Sequence, residues 1–599
     1  MGGRVSAVNG ERTNGNGVHT RLLPLAAQLR GYGRGDLGRD VAAGVVLVGL
    51  LAPAGMAYAA ASGLPPVNGL YASILPLLAY ALVGPSRILV TGPDSALTPL
   101  IAAAVLPFVG NGHDAAAHAA MLAVIAGALC VAAGIARFGF IAELLSAPVR
   151  YGYLHGIAIT IVVSQTARLC GFSVPGESLV GQLRSFVDGL RDGAFVGWAL
   201  AVGSVSLVAI LAMRWWSRRI PATLIAVVGG ILVSLWVGLE ERGVPVVGDL
   251  PSGIPLPSWP DVSWHDARTL VGAAVGVAFV AFADTSVLSR AMAVRRHERV
   301  DTNRELIALG VGNIASGLFQ GFPISASSSR TPVAEAAGAR TQITGVVAAL
   351  AMVVLAVAAP TAFRHMPDAT LAAIVIAAAI TLIDIPAMRM LFVARRSEFA
   401  LAVAAMLAVA LLGPVTGAVA AVALSILNFL RKAWKPYTAE LVRVDGLKGY
   451  HDLARHPEGR RVPGLLLYRF DAPLFFANAH FFQDDVARRV AARAESDPVR
   501  CVIVTAEPIT DVDATAAEVL NDMVGDLHGQ GVELRFAELK GTVRDRVERF
   551  GVFRDGMQNQ TARTTGQAVK AYVRESGVHW VDWEDAGQEP TGNSTPPER

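Results

Sequence analysis

Charge is what this chain has least of: only 17% of its 599 residues are Asp, Glu, Lys or Arg, against 53% hydrophobic, and its mean hydropathy is positive. That balance excludes an ordinary water-soluble protein and predicts a polytopic membrane protein carrying a soluble part. Cysteine is scarce as well. Cys130, Cys170 and Cys501 stand far apart, which excludes a disulfide framework or a thiolate metal site and leaves them as packing residues. The formal net charge of +3 is too small to imply a nucleic-acid partner. Residues 1–20 are rich in Gly and Asn and lack an apolar core, so residues 1–36 read as a disordered or amphipathic cytosolic N-terminus rather than a signal peptide. No nucleotide loop, catalytic triad or metal cluster is visible, so neither an enzymatic activity nor a cofactor is expected.

Fourteen apolar runs are present, near 40–60, 66–83, 94–109, 117–136, 151–168, 195–213, 221–239, 269–292, 304–320, 328–338, 342–362, 370–391, 397–412 and 415–432. The third and tenth are too short to cross about 30 Å of hydrocarbon at 1.5 Å per residue, so each needs the extended piece before it. The piece before the tenth lies in Gly321–Gly338, too polar for a span, where Pro323 suggests extended chain and Ser327, Ser328 and Ser329 suggest the cap of a brief helix running through Glu335. The piece before the third is Gly84–Ser95, again β-branched residues followed by small and capping ones. Two interrupted short elements at matching places in two halves point to the midplane site of a secondary transporter. Basic residues concentrate on one side of the spans, including Arg34, Arg39, Arg218, Arg295, Arg396 and Lys432, which puts both termini in the cytoplasm. Seven spans before the Pro-rich loop 240–267 and seven after it must then run in opposite senses, an inverted repeat over 37–239 and 269–432 within a transport domain 37–436.

Beyond Lys435 the composition becomes that of a soluble α/β domain, assigned to 437–575 with a disordered tail 576–599. Strands are expected at Gly464–Phe470, Cys501–Thr505 and Glu533–Phe536, and helices at 479–495, 514–529 and 542–550.

These features together resemble the SulP family of anion transporters. The markers are Pro53 and Tyr58, then Gly63-Leu64-Pro65-Pro66 and Gly69-Leu70-Tyr71; Gly84, Ser86-Arg87 and Gly92-Pro93; Asn303, Glu305-Leu306, Gly310 and Asn313; and Ser329-Arg330-Thr331 with Gly338. The C-terminal domain resembles the STAS module through Tyr468–Asn478 and Asp511-Val512-Asp513-Ala514-Thr515. The resemblance implies a core domain, a gate domain and a cytosolic STAS module, usually as a homodimer. The third and tenth elements would meet end to end, their helix N-termini framing an anion, and the core would move against the gate.

Residue by residue, the resemblance makes Ser329 and Arg330 the anion-contacting pair, with Ser328 and, on the facing side, Ser95 adjoining and Tyr58 lining the pocket. Ala54 stands where relatives carry an anion-contacting glutamine and cannot donate a hydrogen bond. Asp94 departs from the family's aromatic after Gly-Pro. It either takes up a proton beside the anion or caps its own helix. Asp284 lies inside the apolar run Val271–Leu288, where a charge costs at least about 2.5–3.5 kcal/mol, so function is the default reading. It matches the family's cation-coupling acid, with Thr285 able to complete a cation site; a fixed pair with Arg290 is the alternative. Leu288 one turn on offers no hydroxyl for sodium, which favours a proton. His155 reads as a packed or hydrogen-bonded residue and the Thr515 loop as a structural helix start. The expected function is uptake of an inorganic oxyanion, sulfate first, with protons across the cytoplasmic membrane. Rivals are a bicarbonate or dicarboxylate carrier, an uncoupled channel or exchanger, or a receptor whose STAS domain binds a cytosolic partner.

Overall fold

In lipid a backbone satisfies its own polar groups only as a helix or a closed barrel, and the apolar runs form helices. The computed structural model describes residues 24–29, 32–109, 114–143, 146–174, 179–216, 222–251, 253–328, 330–358, 360–552 and 560–584. It divides into two units, Met1–Ile426 and Leu427–Arg599.

After a helical turn at Pro24–Gln28, the first half of the membrane unit runs α1 (Arg34–Ala61), α2 (Pro66–Val83), β1 (Thr91–Gly92), α3 (Thr98–Val109), α4 (Ala115–Ile135), α5 (Ala147–Leu169), α6 (Leu179–Arg191), α7 (Gly197–Trp216) and α8 (Ala222–Val237). The second half runs α9 (Trp264–Arg296), α10 (Thr302–Leu318), β2 (Ser325–Ala326), α11 (Arg330–Ala336), α12 (Ile343–Ala358), α13 (Asp368–Ile380), α14 (Ile385–Ala394), α15 (Arg396–Leu412) and α16 (Pro414–Trp434). Seven helices, counting Asp368–Ala394 as one, are long and apolar enough among the described residues to cross a membrane alone. The third and tenth segments are each a two-residue strand followed by a short helix.

One expectation is corrected. The twelfth run is not one helix: Asp384 accepts the Ala387 N–H at 2.9 Å and Pro386 begins a new helix, so the chain breaks between α13 and α14. The connection after the fifth run, to which no element is assigned from the sequence, holds α6.

Neighbouring helices sort into two groups. One contains α1, α2, α4, α9, α10 and α12; the other contains α5, α7, α8, α13 and α15, and α1 packs on α8 and α13 where the two groups meet. Small residues set the closest approach. On α4 and α10 a Cβ at Gly127 would stand 2.6 Å from the Gly310 carbonyl oxygen, and one at Gly310 would stand 2.6 Å from that of Gly127. Only glycine permits that reciprocal contact, and dispersion between close backbones is what binds helices that gain no hydrophobic energy from each other in lipid.

The second unit is a six-stranded sheet in the order β4-β3-β5-β6-β7-β8. Its members are β3 (Thr438–Arg443), β4 (Tyr450–Asp452), β5 (Leu465–Phe470), β6 (Cys501–Thr505), β7 (Glu533–Ala537) and β8 (Thr561–Ala562). Strands β5, β6, β7 and β8 run parallel, joined through α17 (Ala479–Ala492), α18 (Ala514–Gly529) and α19 (Gly541–Arg549), with α20 (Thr565–Ser576) last. One face buries Leu466, Tyr468, Phe482, Val502, Leu520 and Phe536. Helix α18 starts at Ala514 because the Asp513 carboxylate accepts the Ala516 N–H at 2.8 Å; its other oxygen accepts Phe476 N–H at 2.9 Å.

Candidate anion site

The two broken segments meet. Strand β1 pairs antiparallel with β2, Thr91 opposite Ala326 and Gly92 opposite Ser325. The ladder extends through Ser327 N–H to the Val90 carbonyl at 2.9 Å, and Val90 N–H donates to Thr331 Oγ1 at 3.1 Å. Pairing satisfies the extended backbone without water, which is what lets non-helical chain exist at membrane depth. Helices α3 and α11 begin a few residues beyond the ladder, so two N-termini, each carrying the partial positive charge of a helix start, lie at one junction. Ser327 Oγ accepts the Arg330 N–H at 3.3 Å, a cap at the start of α11.

Arg330 is the centre of the arrangement. It is 4% exposed, and its Nη2 donates to the carbonyl of Pro93, so the second half's cation is tied to the first half's break. Its Nε and Nη1 are buried with no hydrogen-bond partner, and it makes no ion pair with any described residue. Tyr58, on α1, is buried beside Arg330, Asp94 and the Ser95 side chain. Ser95 is buried and Ser328 is exposed. Ser329 lies outside the described residues.

The Asp94 carboxylate accepts the Ala96 N–H at 3.0 Å, and its carbonyl accepts Thr98 Oγ1 at 3.0 Å, which is the geometry of the capping alternative. It is half-buried and lies within electrostatic range of both Arg330 and Asp284. Asp284, midway along α9 and half-buried, makes no hydrogen bond or ion pair with any described residue, Arg290 included; Arg150 and Tyr153 of α5 lie within its electrostatic range. Thr285 is turned to structure: its hydroxyl donates to the Ala281 carbonyl at 2.7 Å and accepts Ala326 N–H at 3.2 Å, fastening α9 to β2. His155 Nδ1 stands 2.7 Å from the Tyr151 carbonyl, and its Nε2 is buried without a partner.

Three polar supports were not anticipated as such. Asn313 on α10 holds the strand before β2, donating to the carbonyls of Leu309 at 2.9 Å and Ile324 at 3.1 Å and accepting Ile324 N–H at 2.9 Å. Glu305, fully buried, accepts Tyr80 OH at 2.6 Å and the Ser86 hydroxyl, anchoring the chain that leads into β1. Asp40 on α1 accepts Arg340 N–H at 2.6 Å, Thr341 N–H at 3.3 Å, Thr341 Oγ1 at 2.6 Å, Thr344 Oγ1 at 2.9 Å and Tyr32 OH at 2.8 Å, capping α12 from the other half. Glu305 and Asp40 stand at the polar edges of their apolar runs, where a carboxylate reads as an ordinary helix start, so hydropathy alone does not single them out.

The sequence matches the model of the sulfate permease family over residues 37–405 and that of the STAS domain over 456–568. A probable sulfate transporter of Mycobacterium tuberculosis strain H37Rv is 40% identical over 555 residues, 92% of this chain and 98% of its own. High affinity sulfate transporter 2 of Stylosanthes hamata is 26% identical over 573 residues, 92% of this chain and 86% of its own. In fold, the murine anion transporter Solute Carrier 26 family member A9 superposes with a TM-score of 0.84 at 22% identity, covering 94% of this chain and 96% of that one. The chain therefore belongs to the sulfate permease family, as a multi-pass membrane anion transporter with a C-terminal STAS domain.

Proposed function

We propose that the protein is a secondary active transporter that takes up an inorganic oxyanion, sulfate first, together with protons, by alternating access. The observation that carries this proposal is Arg330: a buried guanidinium with two nitrogens, Nε and Nη1, unpaired and no ion pair among the described residues. Leaving a charge and its donors unmet in a low-dielectric site is costly, so the position is built for a ligand that is negative and accepts hydrogen bonds. The helix dipoles at the N-termini of α3 and α11 supply like-signed potential, and the Ser328 hydroxyl, with Ser329 beside it in sequence, supplies a further donor. Ser95 and Tyr58 border the same space.

Coupling is assigned to Asp284, with Asp94 as a second carboxylate in its field. An unpaired carboxylate moving with the core through the membrane costs several kcal/mol by insertion measures, and a proton removes that cost. Sodium would need several oxygen ligands, and the Thr285 hydroxyl is already engaged at both its donor and an acceptor position, which favours the proton. The core would comprise spans one to four and eight to eleven, the gate the rest, with both termini cytoplasmic in a homodimer of the cytoplasmic membrane. The similarity to sulfate transporters of bacterial and plant origin supports sulfate over bicarbonate or dicarboxylate.

The test is uptake of labelled sulfate into proteoliposomes with and without an inward proton gradient, competed by bicarbonate, succinate and chloride. Sulfate accumulation driven by the gradient is expected. Uptake indifferent to the gradient would reject coupling, and stronger competition by bicarbonate or succinate than by unlabelled sulfate would reject the substrate.

A further inference from the structure

Helix α6 carries its apolar residues on the wrong side for a helix covering a protein. Val180, Leu183, Val187 and Leu190 are 61%, 46%, 43% and 42% exposed, whereas Gln182 is 7% exposed and Phe186 and Gly189 turn inward. At about 100° per residue, three separate faces result. Gln182, Ser185, Phe186 and Gly189 form the protein-facing side. Val180, Leu183, Val187 and Leu190 form an exposed apolar stripe. Arg184, Asp188 and Arg191 form an exposed charged stripe next to it.

A bare apolar stripe beside a charged one has a specific environment in a membrane protein: the boundary where acyl chains meet headgroups. The position of α6 agrees. Its flanking chain returns to the membrane helices at once, since Val196 N–H donates to the Cys170 carbonyl at 2.9 Å and thereby closes the ends of α5 and α7 on each other. Residues 192–196 separate α6 from α7, a tether on the order of 20 Å at most. Phe172, just past α5, stacks on Phe186 of α6 with ring centroids 5.6 Å apart. The helix is thus fixed at the level where α5 and α7 leave the bilayer.

We infer that α6 lies in the lipid interface, with Val180, Leu183, Val187 and Leu190 in the acyl boundary, Arg184, Asp188 and Arg191 at the headgroups, and a lipid surface as its occupant. One consequence concerns the site. Gln182, with Thr98, Thr160, Ser164 and Gln165, contributes the polar part of the lining of a cavity of ≈ 70 Å³ between α3 and α5, so lipid contact holds the roof over a space that adjoins the first half's broken segment.

The experiment is site-directed spin labelling of the full-length protein in liposomes, with labels at Leu183→Cys, Val187→Cys, Arg184→Cys and Asp188→Cys; the three native cysteines are buried, and unlabelled parent protein is the control. Labels at 183 and 187 are expected to collide with oxygen more than with a water-soluble nickel chelate, at a depth of about 5–10 Å below the headgroups, and labels at 184 and 188 the reverse. Nickel access at 183 and 187 equal to that at 184 and 188 would overturn the inference. Shielding of 183 and 187 from both reagents would also overturn it, since protein such as a second copy would then cover the stripe. Sulfate uptake measured on the same labelled liposomes keeps this outcome separate from the transport proposal.

Discussion

Replacing Arg330 by alanine removes the one buried cation at the junction while leaving the β1–β2 ladder, whose bonds are all made by other residues. Two unpaired nitrogens, Nε and Nη1, are left to serve the anion, and each hydrogen bond to a charged partner is worth about 1.5–3 kcal/mol. Truncating one member of a buried charged pair costs about 2–5 kcal/mol, and a middle value near 3 kcal/mol corresponds to roughly 150-fold in affinity. The effect on the empty protein is different in sign and size. Loss of the bond to the Pro93 carbonyl leaves that oxygen unmet, at about 1–3 kcal/mol, but removal of an unpaired buried charge offsets it. Labelled-sulfate binding to purified Arg330→Ala should therefore weaken by about two orders of magnitude while thermal unfolding without anion stays near that of the parent. The parent should gain about 2.7 kcal/mol of protection at an anion concentration 100 times its Kd, and the variant should gain almost none at the same concentration. Arg330→Lys should recover part of the affinity, because an ammonium cannot serve the Pro93 carbonyl and a bidentate anion with one planar fork. Equal sulfate affinity in parent and Arg330→Ala would refute this reasoning.

Asp284→Asn should leave folding and sulfate counterflow intact but abolish the stimulation of uptake by an inward proton gradient; undiminished stimulation would reject its coupling role. Asp40→Ala orphans two N–H groups and three hydroxyls at the start of α12 and should cost about 3–5 kcal/mol, read as a lower unfolding temperature and poorer yield, with Asp40→Asn less severe. In the STAS unit, hydrogen bonds from Tyr468, Thr438 and Arg489 outweigh burial and hold the Asp485 carboxyl below its ordinary range. A depressed folded value means its stabilisation is complete above the unfolded value of about 3.9 and is lost as pH falls through the lower folded value. Asp485→Asn should therefore lower stability at neutral pH and flatten the acid limb of the full chain's unfolding profile, whereas an unchanged acid limb would contradict that assignment.

Apolar periodicity made the membrane helices legible because lipid demands helices, and Pro93, Pro323 and the serine run made the two breaks legible because those residues interrupt helices. The same rule exposed Arg330 and Asp284 as charges in the wrong solvent. The pairing of β1 with β2 was legible only as an expectation of two ends meeting, since four strand residues carry no pattern from which register can be read. Asp40 and Thr341 lie 301 residues apart, so a cap shared between halves leaves no local trace. Helix α6 escaped for another reason: six apolar residues interrupted by charged, polar and glycine residues in a thirteen-residue stretch give the hydropathy of a loop. In the STAS unit the central parallel strands were evident from continuous apolar runs, while β3, β4 and β8, at the margins of the sheet and partly polar, were not.

The central claim is that two broken segments, one from each half, present Arg330 and paired helix N-termini to a single anion. Anomalous scattering from crystals grown with selenate in place of sulfate tests it most directly. The account predicts one selenium peak within hydrogen-bonding reach of Arg330 Nε and Nη1 at the starts of α3 and α11. Selenate bound elsewhere in the membrane unit, with that position empty in protein that transports sulfate, would contradict it.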